Sequence, residues 1–569
     1  MIKLVGKPAS PGYAIGQAFL IPYQETESAV AEKTDLETQL KLFESAISTS
    51  KRQIKELIES GNLSKTEIDI LNFQIEVLND EVFIDKIRSY IKNGMGVENA
   101  IKTSFNESID ELSEAKSEYL KERIEDLKDL MTRLINNITS KNKPLNLPKS
   151  KSIIVSKIIT PSIFASIDKE VILGIVTEEG GTTSHVAIMA KERGIPMIVG
   201  VSGILNKIKN GDIIVLDGYN GEVIVNPAEQ QLLAYKTRLE EVRVISQELE
   251  KYLGTKAYTV DGTYIKVQAN VGNEDDLTLA ANVKAEGIGL LRTEFLYLER
   301  TNAPTYEDLS KLFKKASELF ASDEVIVRVL DIGGDKLPPY INLEPEANPF
   351  LGLRGIRLML KNRELLKEQI KAVAVSNIKG NLKLMLPMVS DYDEIVESKK
   401  VLEEVEEELK KENKQFIVPE LGIMIETPSA ASMADVMSEV SDFFSIGTND
   451  LTQYILAADR GNKNVSYLYD DLHPSVLRAI KDVVNKAKRP VGVCGEMASE
   501  PLAIPLLIGL GIRKLSVNPP RVLVTKMLIS KIDKSEASEL AEMSLDMKTA
   551  DQVKQLIKEY YEKKKIKFI

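Results

Sequence analysis

Between about residues 28 and 142, apolar side chains recur every three or four positions, as at Leu36, Leu40, Phe43, Ile47, Ile54 and Leu57, and no proline interrupts them. That spacing lines one face of a 3.6-residue helix and predicts helices throughout the stretch. Short breaks at SGNLSK (60–65) and KNGMGV (92–97) predict antiparallel helices packed as a bundle. On either side the pattern shortens to β-rich runs: ASPGYAIGQAFLI (9–21) before it, and SIIVSKI (152–158), GIVTEEGG (174–181) and GDIIVLDGYNGEVIVNP (211–227) after it. In the last run Asn220-Gly221 marks a hairpin between two alternating strands. These runs predict one small β/α domain, residues 1–27 and 143–227, interrupted by a helical insert over 28–142.

Residues 228–257 are polar and helical in pattern, and are expected to be a linker. Beyond them eight short apolar runs alternate with helical stretches: YIKVQANVG, GIGLLRTEF, VIVRVLDIGGD, LKLMLPMV, LGIMIETPS, FFSIGTND, VGVCGEMA and KLSVNPP. Eight strand–helix units predict a (β/α)₈ (TIM) barrel over 258–569, with its active site at the C-terminal ends of the strands. The fold class expected is therefore α/β and multidomain.

Composition narrows the function. With 43% apolar and 28% charged residues the chain reads as an ordinary globular one. A net charge of −11 is the opposite of a nucleic-acid footprint and suits a basic partner better. One cysteine excludes an internal disulfide framework, and no signal-like or long apolar run is present, so a cytoplasmic location without membrane insertion is expected.

Of only two histidines, His185 follows a Gly/Thr/Ser run in GGTTSHVAIMA (180–190). An imidazole can accept and release a charged group near neutral pH, and Gly180 and Gly181 let backbone come close to such a group. His473, in DLHPSV, has no comparable setting and reads as structural. In the barrel, Arg292, Arg328, Arg354 and Arg460 supply planar donor forks for phosphate and carboxylate oxygens. Glu426 and Asp450 are hard oxygen donors of the kind that hold Mg²⁺. The ligand this set implies is a small anion bearing both phosphate and carboxylate.

GGTTSHVAIMAKERGIPMIVG, GIGLLRTEFLYLER, VIVRVLDIGGDKLPPY, NPFLGLRGIRLML, IMIETPSA, FFSIGTNDLTQYILAADRGN and VGVCGEMA, in this order, resemble Enzyme I of the bacterial phosphotransferase system over nearly the whole chain. The resemblance implies phosphoryl transfer from phosphoenolpyruvate to Nε2 of His185 and then to the small carrier HPr, with release of pyruvate. It implies phosphoenolpyruvate contacts at Arg292, Arg328, Asn449 and Arg460, Mg²⁺ at Glu426 and Asp450, and Asp450 serving the ligand through the metal. Cys494 becomes the acid that protonates the enolate carbon, a role open to a thiol. It further implies a swivelling phosphohistidine domain, an HPr-docking helical insert and a homodimer formed through the barrel. The run DELSEAKSEYLKERIEDLKD (110–129), with eight acids against four bases, is expected to face HPr.

Four positions depart from the family pattern. Gln74 replaces a His of the docking bundle, Phe164 a Thr near the active histidine, and Thr182 a frequent Arg or Lys; LSVNPPR replaces FSMSA. The first three bear on the hydrogen bonds around His185 and on carrier preference. Three alternatives fit less well. A pyruvate phosphate dikinase or phosphoenolpyruvate synthase carries a nucleotide-binding domain ahead of the histidine, and no Gly-rich nucleotide loop is visible. A non-catalytic phosphoenolpyruvate sensor would be expected to lose His185, Cys494 or a metal ligand. A nitrogen-type paralogue would be expected to begin with a sensory domain, whereas MIKLVGKPASPGYAIG reads as the start of the core.

Overall fold

The computed structural model describes residues 2–21, 35–59, 63, 65–113, 118–139, 147–182, 184–298, 300, 302–333, 338, 340, 341, 344 and 346–567. The chain divides into two compact units, Met1–Arg243 and Val244–Ile569, each described by itself.

In the first unit the apolar stripes become five helices, Leu36–Glu59, Lys65–Asn79, Glu81–Lys92, Val97–Ser113 and Glu118–Ile138. They close over a core that includes Phe43, Ile54, Leu71, Ile87, Phe105 and Leu130. Of the predicted face, Phe43, Ile47 and Ile54 are buried and Leu40 and Leu57 partly so. Leu36, the first helical residue, is exposed. Most of the SGNLSK break lies outside the described residues. At KNGMGV the helix ends and Gly94 turns with φ 91°. A further break comes at Asp80, which sits in extended backbone and accepts the N–H groups of Val82 and Phe83, so the helical pattern restarts without a pause.

The five helices form the connection between two adjacent parallel strands, Tyr13–Leu20 and Ser152–Ser156. These belong to an eight-stranded sheet in the order Ile2–Val5, Glu222–Val225, Ile213–Asp217, Tyr13–Leu20, Ser152–Ser156, Ile172–Thr177, Met197–Val199 and Lys7–Ser10. The hairpin at Asn220-Gly221 is present, with a loop over 218–221. Its strands are buried on nearly every residue rather than alternating, because apolar clusters cover the sheet from both faces.

A helix, Glu229–Glu250, contains the division between the units. In the second unit, eight parallel strands, Tyr264–Val271, Ile288–Leu291, Val325–Arg328, Leu382–Leu386, Glu420–Ile425, Phe444–Ile446, Val491–Val493 and Lys514–Val517, close into a (β/α)₈ barrel. The first strand pairs with both the second and the eighth. Seven fall within the predicted runs, and the fifth begins one residue before its run, at Glu420. The N-terminal end of the barrel is plugged by Glu324, which takes Lys514 at 2.7 Å, Lys383 at 3.1 Å and Lys266 at 3.3 Å. Burial pushes the Glu324 carboxyl up, but the three ammonium groups more than offset this and hold it down to about 2. No helix among the described residues is long and apolar enough to cross a membrane.

Candidate active site

His185 opens the helix His185–Glu192, whose N-cap is Ser184; the Ser184 hydroxyl accepts the N–H of Ala187. Gly180, with φ 120°, turns the preceding loop through backbone that a side chain would strain. Thr183, inside the motif, lies outside the described residues. The imidazole side chain is only 10% exposed, and its Nδ1 stands 3.0 Å from Oδ1 of the wholly buried Asp126. The other oxygen of Asp126 accepts from Arg123 at 3.1 Å. A carboxylate only accepts, so Nδ1 carries the ring proton and the lone pair is left on Nε2.

Asp126 comes from the last helix of the insert, and two more polar links cross the same seam. Asp129 accepts from Gln74 at 2.9 Å and from the Ser162 hydroxyl. Glu67 pairs with Arg193 at 2.5 Å, and Arg193 lies over the Phe164 ring. Gln74 and Phe164, two of the departures from the family pattern, are therefore buried in this seam. Thr182 is exposed. The acidic run 110–129 is correspondingly split: Asp126 and Asp129 point inward, where His185 and Ser162 offer them hydrogen bonds that water would otherwise supply.

In the barrel, Arg292, Arg328, Arg354, Glu426, Asn449, Asp450, Arg460 and Cys494 all line one cavity of about 460 Å³ at the C-terminal ends of the strands. Arg328 donates to Glu294 at 2.7 Å and pairs with Asp331 at 3.2 Å. Arg354 spans Asp331 and Asp450 with four bonds of 3.1 to 3.2 Å. The Arg292 side chain has no ion pair among the described residues, which leaves its donor fork to the cavity. Burial drives the Asp331 carboxyl up, but Arg328 and Arg354 more than offset it and hold it below the usual carboxylate range.

Glu426 accepts the Met388 N–H at 2.6 Å. Burial, then the neighbouring charges of Asp450 and Asp331, push its carboxyl up to about 8. Among the described residues no group of three or more His, Cys, Asp or Glu side chains could hold a metal; Glu426 and Asp450 make a pair. Cys494 is buried, with Sγ 3.7 Å from the Ile446 carbonyl. Burial pushes its thiol up to about 11 against a lowering hydrogen bond from Ser445. Asn449 exchanges hydrogen bonds with Glu496, its amide donating at 3.2 Å and its carbonyl accepting the Glu496 N–H at 2.8 Å. His473 is the N-cap of helix Pro474–Lys486 and accepts the Ser475 N–H at 3.2 Å, the structural place expected of it.

The chain is 39% identical over 570 residues to a phosphoenolpyruvate-protein phosphotransferase of Staphylococcus aureus, covering 98% of this chain and all of the relative. The chain belongs to the phosphoenolpyruvate-protein phosphotransferase family. It is an enzyme of that activity. A phosphotransferase of Listeria innocua is 37% identical over 98% of this chain and 99% of its own length. Three family profiles match along the phosphotransferase chain: PEP-utilising enzyme, N-terminal, at 5–123; mobile domain, at 148–221; and PEP-binding domain, at 246–534. A solution structure of an Enzyme I protein aligns with 42% of this chain and 99% of its own, at 31% identity and a TM-score of 0.38.

Sequence reasoning passed over several residues of the phosphotransferase site. Asp331 and Glu294 were visible as strand-end acids, but not as the groups that hold Arg328 and Arg354. Asp126 reads only as one acid of the run 110–129 expected to face HPr, not as the partner of His185.

Proposed function

We propose that this chain takes the phosphoryl group of phosphoenolpyruvate onto Nε2 of His185 and passes it to the small basic carrier HPr, releasing pyruvate. The observation that carries the reading is the convergence of Arg292, Arg328, Arg460 and Asn449 on one cavity with Cys494 at its wall. Arg292 and Arg460 supply donor forks for the phosphate and carboxylate of the substrate. Arg328, fixed by Glu294 and Asp331, brings a positive charge whose direction is already set. Arg354 acts chiefly on the protein side, holding Asp331 and Asp450, and also offers its guanidinium to the substrate from the cavity wall.

The Asp126 carboxylate leaves Nε2 of His185 as the basic nitrogen, so the imidazole can attack phosphorus in line. The departing enolate then takes the Cys494 thiol proton at carbon and becomes pyruvate. Glu426 and Asp450 form an all-oxygen pair that fits Mg²⁺, in keeping with a metal that retains water or phosphate on its other positions. When bound, Mg²⁺ would supply charge neutralisation for the phosphate oxygens.

His185 lies in the first unit and the cavity in the second, so transfer requires the two to meet; the helix Glu229–Glu250 is the proposed hinge. The domain roles follow: residues 1–27 and 143–227 as phosphohistidine domain, 28–142 as HPr-docking insert, 228–257 as linker and 258–569 as substrate and homodimerisation domain, in the cytoplasm. Intact mass after addition of phosphoenolpyruvate and Mg²⁺ tests the reading. One acid-labile phosphoryl group on the wild type, absent from His185→Ala and discharged by HPr, is expected. Label that persists on His185→Ala would overturn it.

A further inference from the structure

Each pyruvate formed leaves Cys494 one proton short, in a buried position at the wall of the cavity that the substrate fills. The inside of the barrel offers a second way to this thiol. Interiors of such barrels are ordinarily packed with apolar branched side chains. Here one side obeys, with Leu290, Ile326, Met385, Met424 and Phe443 in one cluster. The side built by the first, sixth and eighth strands is polar, carrying Gln268, Asn270, Ser445 and Ser516, all buried.

These residues form a polar seam, with Gln268, Ser445 and Ser516 around one small cavity. Ser516 donates to Asn270 at 2.7 Å, and Asn270 donates to the Cys494 carbonyl at 3.0 Å, which fixes the strand end bearing the thiol. Ser445 stands opposite Gly492 on the neighbouring strand, two residues before Cys494, so the Ser445 and Cys494 side chains turn to the same face of the barrel wall. Behind Ser445 lies a small cavity shared with Gln268, Ser516 and Lys514, of about 10 Å³, close to the space one water needs. Gly289 keeps it open, since an added methyl would sit 2.5 Å from Ser516 Oγ and 3.1 Å from Gln268 Oε1. At the far end Gln268 and Lys514 both donate to Glu324, and the Lys514 side chain is 28% exposed, so the cavity behind Ser445 is bordered by a residue that reaches solvent at the N-terminal end of the barrel.

We propose that this seam returns the proton to Cys494 through Ser445, from the end of the barrel opposite the substrate. The Ser445 hydroxyl proton passes to the thiolate sulfur as Ser445 oxygen takes a proton from a water in the cavity. That water is restored from the Lys514 ammonium, and Lys514 from solvent. One proton enters per pyruvate, and no other bond changes. The inference rests on Cys494 being the acid that protonates the enolate.

The test is rapid-quench measurement of pyruvate formed by the full chain with phosphoenolpyruvate, Mg²⁺ and excess HPr. The wild type should show one rate through successive turnovers. Gln268→Leu, remote from the substrate, should form its first pyruvate per site at the wild-type rate from the proton already on the thiol. Its later turnovers should then be slowed by about tenfold or more, with an enlarged solvent deuterium isotope effect. Ser445→Ala should show the same burst shape, and Ser445→Thr should restore the single rate. If Gln268→Leu fails to fold, Lys514→Met carries the same test. Absence of a burst in these variants, or an equal fall in both phases, would overturn the seam. Cys494→Ala separates the premises: wild-type turnover there removes the acid itself, whereas slow turnover there with Gln268→Leu unchanged removes the seam alone.

Discussion

Replacing Asp126 with Asn should reverse the protonation of the imidazole while changing little else in volume. The wild-type carboxylate has two acceptor oxygens, one toward Nδ1 of His185 at 3.0 Å and one toward Arg123 at 3.1 Å. An asparagine has one acceptor and one donor end. Arginine can only donate, so the amide oxygen must face Arg123 and the amide nitrogen must face Nδ1. Nδ1 is then compelled to accept, the ring proton moves to Nε2, and the nucleophilic lone pair is lost.

Regaining it means breaking a hydrogen bond with a charged partner nearby, about 1.5–3 kcal/mol. At 1.36 kcal/mol per decade, that slows phosphorylation by roughly 10- to 150-fold. Single-turnover phosphorylation by phosphoenolpyruvate reads the rate. Nitrogen-15 spectra of the imidazoles read the tautomer, and with two histidines in the chain, His473→Asn suffices to assign them. Phosphorylation within twofold of wild type, or an Nδ1 that stays protonated in Asp126→Asn, would refute the reasoning.

Arg292→Ala should raise the KM for phosphoenolpyruvate by roughly 10- to 150-fold for each charged hydrogen bond removed, with a nearly unchanged melting temperature, because no acid among the described residues forms an ion pair with it. Arg328→Ala should lower both affinity and melting temperature by stranding Glu294 and Asp331; initial rates and thermal melts separate the two. With its thiol pushed up to about 11, Cys494 stays protonated through mildly alkaline pH. Pyruvate formation should therefore show no alkaline loss from this group below about pH 10, and a limb near 8.5 that vanishes in Cys494→Ala would contradict its burial. Glu324, held at about 2 against an ordinary 4.5, contributes roughly 3 kcal/mol of stability. A depressed folded value makes that contribution full above about pH 4.5 and lost as pH falls toward 2; denaturant melts of Glu324→Gln should lack this slope.

The barrel was legible because its strands are short apolar runs cut off by Gly, Pro and charged residues, and because strand C-terminal ends must converge once the sheet closes. That logic placed Arg292, Arg328, Glu426, Asn449, Asp450 and Cys494 at one end of the barrel without any contact being known, and Arg354 and Arg460, read as anion-binding arginines, line the same cavity. It could not say which arginine is spent on protein acids, since Arg292 and Arg354 look alike until Asp331 and Asp450 are seen beside the second. Asp80 was missed because a capping residue needs only one position, too little to disturb a helical period. Asp126 and Asp129 were misread for a related reason: on a helix with one face in its own bundle, a second face covered by another part of the chain looks as polar as one covered by water.

Under the proposed assignment of the insert as the carrier-docking surface, the seam between insert and sheet makes carrier recognition and histidine chemistry a single heritable cassette. His185–Asp126, Ser162–Asp129 and Arg193–Glu67 each take one partner from either side. A chimera that imports a foreign insert to redirect the enzyme toward another carrier therefore imports the tautomer control of the nucleophile with it. Exchange of specificity between relatives would have to move residues 162, 185 and 193 together with 67, 126 and 129.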